Sequence, residues 1–278
     1  MKFKILALLF VLLCSTAFLK AEITVSSSLT PFEQALEEVK EDSLVIFDVD
    51  DVLITCCDPT LQEVNKERLN KVCQTFAQTM PIDEYTRLFS IALKSREVEI
   101  IDQKIYDLLN ELSNRNVKTI ALTHTRTGQF GTIEKMEDWR VLELGGLGID
   151  FDQTSPFASE KSLENLGGSA GSPSIKNGVI FTAEIDKGRV LEEAFKLLPK
   201  APREVIFIDD RRDNLESVES LCEKHQIAFQ GFHYTAVQAR APKKIDEKLI
   251  EIQVGTLLKE GRWITSEEAA ESFNDEHH

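Results

Sequence analysis

The sequence carries no glycine-rich nucleotide cradle, neither a P-loop nor a GxGxxG following an apolar run. Those motifs exist because only closely spaced glycines let backbone amides approach a phosphate chain. Their absence argues against a kinase, an ATPase or a dinucleotide-dependent dehydrogenase. Basic residues are also in short supply. Lys and Arg together number 32 against 47 Asp and Glu, a net charge of −15. That balance excludes nucleic acid as an expected partner, since phosphate backbones are held by clustered cations. It also disfavours attraction to an anionic membrane surface. Cys56 and Cys57 are adjacent, lack metal-ligand spacing and have no histidine nearby, so no zinc site is expected. Internal repeats are missing, and no stretch beyond the N-terminus approaches transmembrane length.

What is present begins with a leader. Lys2 and Lys4 precede the apolar run Ile5–Leu13, and small residues follow at Ser15 and Ala17. This predicts a signal peptide within residues 1–21, cleaved after Ala17 or Ala21, and a periplasmic or secreted mature protein with no membrane partner. Four cysteines then remain, Cys56, Cys57, Cys73 and Cys222, as buried thiols or with one disulfide. At 278 residues, with 42% hydrophobic and 28% charged side chains, the chain suits one α/β domain with insertions.

Short, continuously apolar runs at Leu44–Phe47, Lys118–Leu122, Gly178–Thr182, Glu204–Ile208 and Gln226–Gln230 read as strands buried on both faces. Helical periodicity separates them. Phe32, Ala35, Leu36 and Val39 share a face behind a start at Thr30-Pro31, with Thr30 as cap. Val98, Ile101, Ile105, Leu108 and Leu112 share another, and Val190, Leu191, Ala194, Phe195 and Leu198 a third. Alternating strands and helices predict an α/β fold with a parallel sheet covered on both sides. Residues 57–96 look like a small helical cap inserted after the first strand. A second insertion, 127–177, contains an amphipathic segment at Trp139–Leu144, with Trp139 read as core packing, and a Gly/Ser-rich stretch, Gly167–Pro173, read as a mobile loop. Ile245–Leu258 is a further amphipathic helix candidate, and the end of the chain reads as frayed.

The ends of the strand-like runs carry polar groups. The first gives Asp48-Val49-Asp50-Asp51-Val52, the second Thr123 and the fourth Asp209-Asp210, with Asn214 beyond; Lys187 opens the helix after the third. Ligands in open α/β sheets bind outside the carboxyl ends of the strands, so these groups should converge. Several carboxylates at one edge repel each other unless a hard cation with oxygen ligands sits among them, and Mg2+ beside a phosphate fits. A hydroxyl and an ammonium then suit phosphoryl oxygens.

This order of groups resembles the four motifs of the haloacid dehalogenase superfamily: DxDx(T/V), a strand-end Thr or Ser, a Lys, and an acidic pair followed by Asp or Asn. The resemblance covers about residues 44–235. It implies a three-layer Rossmann-like sheet of order 5-4-1-2-3 and a Mg2+-dependent phosphatase acting on a small phosphorylated molecule. It implies Asp48 as the nucleophile that forms an aspartyl phosphate, and Asp50 as acid and then base. Thr123 and Lys187 would bind the phosphoryl group. Asp48, the Asp50 carbonyl, and Asp210 or Asp209 would bind the metal, supported by Asn214. Finer details are similar to a bacterial subfamily of unknown function, with Thr123 to Arg126, Leu147–Phe151, Gly178–Thr182 and Phe232-His233-Tyr234; it brings no substrate with it. His124 and Arg126 stand where they could touch substrate. Asp51 reads as a turn carboxylate, and Arg211 and Arg212 as loop-stabilising ion pairs. Two other classes compete. A receiver-type signalling domain would carry its acidic pair before the phosphorylated Asp, the reverse of the order here. A non-catalytic or effector-type binding protein could keep the same fold and metal site.

Overall fold

The computed structural model describes residues 22–78, 80–163 and 165–275; the expected leader and the last three residues lie outside them. In chain order the elements are β1 (Glu22–Ser26), α1 (Thr30–Glu37), β2 (Ser43–Phe47), β3 (Ile54–Cys56), α2 (Lys66–Ala77), α3 (Ile82–Ser95) and β4 (Val98–Ile100). Then come α4 (Lys104–Asn114), β5 (Lys118–Thr123), α5 (Met136–Gly146), β6 (Glu160–Ser162), β7 (Ser174–Lys176) and β8 (Val179–Phe181). The chain ends with α6 (Lys187–Phe195), β9 (Glu204–Asp209), α7 (Arg212–His225), β10 (Ala228–Tyr234), α8 (Ala236–Ala239), α9 (Glu247–Glu260) and α10 (Ser266–Asp275).

The main sheet runs β1-β10-β9-β2-β5-β8-β7-β6. Pairings from β1 to β8 are parallel, and β7 and β6 add antiparallel strands at one edge. The five runs expected as strands stand from β10 to β8 in the order 5-4-1-2-3. Their unbroken apolar character follows from burial on both sides. Val45, Phe47, Ala121, Ile206 and Ile208 face one layer with Phe32, Ile105 and Leu108 of α1 and α4. Leu44, Ile46, Ile120, Val205 and Phe207 face the other with Val190, Leu191 and Leu215 of α6 and α7. The two-residue period of a strand divides one sequence run between two cores. The fold is therefore three-layered α/β/α.

A third apolar cluster lies apart from the sheet. Leu69, Val72 and Cys73 of α2 and Leu88 and Ala92 of α3 pack against Ile250, Val254 and Leu257 of α9 and against Trp263. Helices α2 and α3 thus form within residues 57–96, read from the sequence as a cap, and α9 completes their packing. Buried polar groups weld the junction. Asp58 accepts hydrogen bonds from the Gln253 amide at 3.0 Å and from the Trp263 indole at 3.0 Å. The Thr60 hydroxyl donates to Gln253 Oε1 at 2.6 Å. Asn65 donates to the carbonyls of Pro59 and Lys243 and accepts from the Ile245 amide.

Several expectations are corrected. Val98 belongs to β4, which pairs antiparallel with β3, and the helix starts only at Lys104; the Ile101 amide bonds Leu53, returning the chain from the cap. Thr30 lies inside α1 and Leu29 precedes it as the cap position, without a side-chain bond. The last strand begins at Ala228, because Gln226, at φ 57°, ends α7 in the left-handed conformation. Gly167–Pro173 is pinned: the Thr127 hydroxyl and amide bond Ser172 and Ala170, Ala170 is buried, and Leu163 bonds Pro173. Gly171, at φ 106°, meets Thr127 so closely that no Cβ would fit. α10 runs to Asp275, and the two terminal histidines at the end expected to fray lie outside the described residues. All four cysteines of the described residues are free; Cys57 is exposed and the others are buried. Among the described residues no helix is long and apolar enough to cross a membrane.

Candidate active site

Parallel pairing sets the site. Phe47 stands level with Ile208 on β9 and with Ala121 on β5. Asp48, Asp209 and Thr123 therefore leave the same edge of the sheet within two residues of that level. Lys187 arrives from β8 through a turn in which Ala183 and Glu184 adopt φ of 51° and 63°. Asp186 caps α6 by accepting from the Arg189 amide at 2.9 Å, which fixes Lys187 as the first helical residue.

The Lys187 ammonium, fully buried, lies 2.7 Å from Asp48 Oδ1 and 2.7 Å from Asp209 Oδ2. Burial opposes its charge, but the two carboxylates outweigh that and raise its pKa. Asp209 is otherwise saturated: Asn214 Nδ2 donates to both its oxygens, at 2.9 and 3.1 Å, and the Arg211 amide donates at 2.8 Å. Asn214 Oδ1 is 2.9 Å from His124 Nε2, and His124 Nδ1 is 3.3 Å from the Thr182 hydroxyl. Since the Asn oxygen can only accept, His124 donates from Nε2, and the Thr182 hydroxyl serves Nδ1 as donor when the ring is neutral. Burial, then the charge of Lys187, lowers its pKa accordingly.

Asp48, Asp209 and Asp210 each offer an oxygen within 4.8 Å of the others. Burial, then the charge of Asp209, pushes Asp48 up to about 6. Burial, then Asp48 and Asp209, pushes Asp210 up to about 9. Such crowding of oxygen donors fits a hard divalent cation. The two adjacent aspartates divide the work: Asp209 is enclosed by its donors, whereas Asp210 lines the open cavity. His233 holds the Asp210 carbonyl at 2.9 Å. Thr123 also lines the cavity, with its hydroxyl 3.0 Å from that of Thr125. Asp51 sits in a turn at φ 61° and accepts from the Thr55 hydroxyl. Arg211 and Arg212 pair with Asp213 and Glu216.

Asp50 is held in a way the sequence reading missed. Arg140 of α5 grips both its oxygens, at 3.1 and 2.9 Å, and Arg96 stands 3.7 Å away. Both arginines also bond Glu143, at 2.6 and 2.7 Å, and both lie about 5 Å from the Trp139 ring, at 5.0 and 5.1 Å. Trp139 is thus partly exposed between two guanidiniums, not core packing. Desolvation alone would raise Asp50; Arg140 and Arg96 outweigh it and hold the carboxyl below its ordinary value. The available signal was Arg140 and Glu143 one helical turn apart in an otherwise apolar segment. Arg126 is not brought to the cavity's lining; its guanidinium stacks on Phe130 at 4.3 Å.

A cavity of about 470 Å³ opens over these groups, walled by Leu61, Leu69, Phe89 and Leu93 of the cap.

Against known proteins, residues 26–270 match the family described as "Protein of unknown function (DUF2608)". An uncharacterized protein of Rickettsia prowazekii is 24% identical over 271 residues, covering 97% of each chain. A Chlamydia trachomatis protein, 25% identical over 203 residues and 71% of each chain, has a name that assigns it provisionally to the outer membrane. Among solved structures, a haloacid dehalogenase-like hydrolase from Streptococcus pneumoniae is similar with a TM-score of 0.35 at 13% identity, over 71% of this chain and 96% of that one. The match over nearly the whole of the described fold makes this chain a member of the DUF2608 family.

Proposed function

We propose that this protein is an exported, magnesium-dependent phosphatase of the haloacid dehalogenase type. The observation that carries the reading is Lys187, which joins the Asp48 and Asp209 carboxylates at 2.7 Å each beneath an open Asp210. A carboxylate can attack an anionic phosphoryl group only if its charge is offset, and Lys187 offsets it. Asp48 Oδ1 is taken by Lys187 and by the Val49 amide at 2.8 Å, which leaves Oδ2 for the attack on phosphorus. The phosphorus–oxygen bond to the alcohol then breaks, Asp48 carries the phosphoryl group, and water releases it as inorganic phosphate. Thr123 and Lys187 would hold the phosphoryl oxygens. Asp48, Asp210 and the Asp50 carbonyl would hold magnesium, with Asp209 and Asn214 supporting. Bound there, magnesium offsets the facing carboxylates and polarises the phosphoryl oxygens. Asp50, ionised beside Arg140, is suited to activate the water; protonating the leaving alcohol requires it to leave Arg140. Export rests on the N-terminal leader and is supported by the outer-membrane name of the chlamydial relative.

The test is phosphate release from a broad panel of phosphomonoesters with and without magnesium. Magnesium-dependent turnover is expected, and Asp48→Asn should lower kcat by roughly a thousandfold or more. The grip of Arg140 and Arg96 on Asp50 favours one second reading, a binding protein that keeps the site without turnover. Folded, magnesium-binding protein that releases no phosphate from any compound would select it.

A further inference from the structure

The cavity over the carboxylates has two unlike ends, and on the cap side several polar groups already have partners. On the cap side Gln62 donates its amide to the Cys56 carbonyl at 2.8 Å, and Lys66 pairs with Glu63 at 2.9 Å. Arg96 is engaged by Glu143 and Arg211 by Asp213. What these walls still offer is apolar surface. Phe89, Ala92 and Leu93 lie at i, i+3 and i+4 on one face of α3, opposite Leu61 and Leu69. Phe89 and Leu93 are only partly buried.

We infer that the pocket selects phosphomonoesters of apolar alcohols, with the phosphoryl group at Asp48 and the hydrocarbon between α3 and Leu61. This deepens the phosphatase reading and rests on it for the placement of the phosphoryl end. The volume of about 470 Å³ lies within the range of about 300–1,000 Å³ usual for small-molecule sites. It accommodates a medium aliphatic or aromatic group beside a phosphate. A sugar or polyol in its place would bury hydroxyls against Phe89 and Leu93 without partners, which is costly. A second anionic group would meet Glu184 on the lining, while Lys66, Arg96 and Arg211 there each face a carboxylate already. The products are inorganic phosphate and a free apolar alcohol.

Binding and turnover are to be measured separately on the full mature chain with magnesium. Calorimetry with methyl-, butyl- and hexylphosphonate, which cannot be hydrolysed at the P–C bond, tests the pocket alone. Affinity should rise by roughly fourfold per methylene, and Phe89→Gln or Leu93→Gln, shown to be folded by circular dichroism, should flatten that rise. Affinity that is independent of chain length in the wild type overturns the inference, as does absence of binding by all three. So does a sugar phosphate that displaces hexylphosphonate. In the turnover arm, hexyl and phenyl phosphate should exceed glucose 6-phosphate in kcat/KM by at least about tenfold. Chain-length-dependent binding without any phosphate release would retain the apolar pocket and reject the phosphatase.

Discussion

At the scale of single residues, the site depends on one buried cation holding two buried anions. Lys187→Met would strand Asp48 and Asp209 beside each other with their common partner gone. A loss of about 3–5 kcal/mol in urea unfolding is expected, together with loss of activity. His124 gives a pH signature. Its pKa in the folded protein lies below the ordinary 6.5, so above 6.5 both folded and unfolded forms are neutral and its contribution is fully present. As pH falls through 6.5 the unfolded chain takes up the proton first, and stability is lost until the folded pKa is reached. The melting temperature should therefore drop more between pH 7.5 and 5 in the wild type than in His124→Gln, which retains an amide donor for Asn214. Asp48, Lys187, Asp209 and Asn214 were legible in the sequence because each follows an apolar run by a fixed offset. Arg140 was not, because its partner Asp50 lies 90 positions away and no local pattern records a contact of that span. Arg126, one turn of loop beyond Thr123, shows the converse: proximity in sequence carried the backbone to the edge but turned the side chain onto Phe130.

At the scale of elements, α6 must lie close to α7 for Lys187 to reach the sheet edge. Gly188 makes this possible: its amide donates to the Ser217 hydroxyl at 2.8 Å, and a Cβ there would stand 2.4 Å from the Ser217 carbonyl oxygen. Gly188→Ala should cost about 1–3 kcal/mol by overpacking. It should also lengthen the Lys187 ion pairs, because Lys187 is displaced with its helix, and so lower any phosphate release; thermal unfolding and the phosphate assay on the variant check the two. The long buried strands were read correctly because burial on both faces leaves a continuous apolar mark. The short ones were not. β6 is Glu-Lys-Ser and wholly exposed at the sheet edge, with no hydrophobic pattern to betray it. β4 is Val98-Glu99-Ile100; Val98 stands three positions before Ile101, a spacing that suits a helix face, and only the pairing of β4 with β3 decides against it.

At the scale of the whole molecule, residues 57–96 are joined to the C-terminal segment that holds α9 and Trp263. Gln253 is fully buried and spends its amide on Asp58 and the Ile264 carbonyl and its oxygen on Thr60. Gln253→Leu should cost roughly 1–3 kcal/mol for each group left unpaired. In hydrogen exchange, amides of α2 and α3 should lose protection while those of β2, β5 and β9 keep theirs. Nothing in residues 57–96 announced this partnership, because an amphipathic face states that it needs a cover and not where the cover lies. The partners stand far apart in order of manufacture: 193 positions separate Thr60 from Gln253, and 205 separate Asp58 from Trp263. Every carboxylate of the site, and Lys187, is therefore synthesised before the residues that back the cavity's outer wall. A chain released early would hold the carboxylates and the wall helices but not their brace, so a firm wall itself certifies that synthesis ran past Trp263.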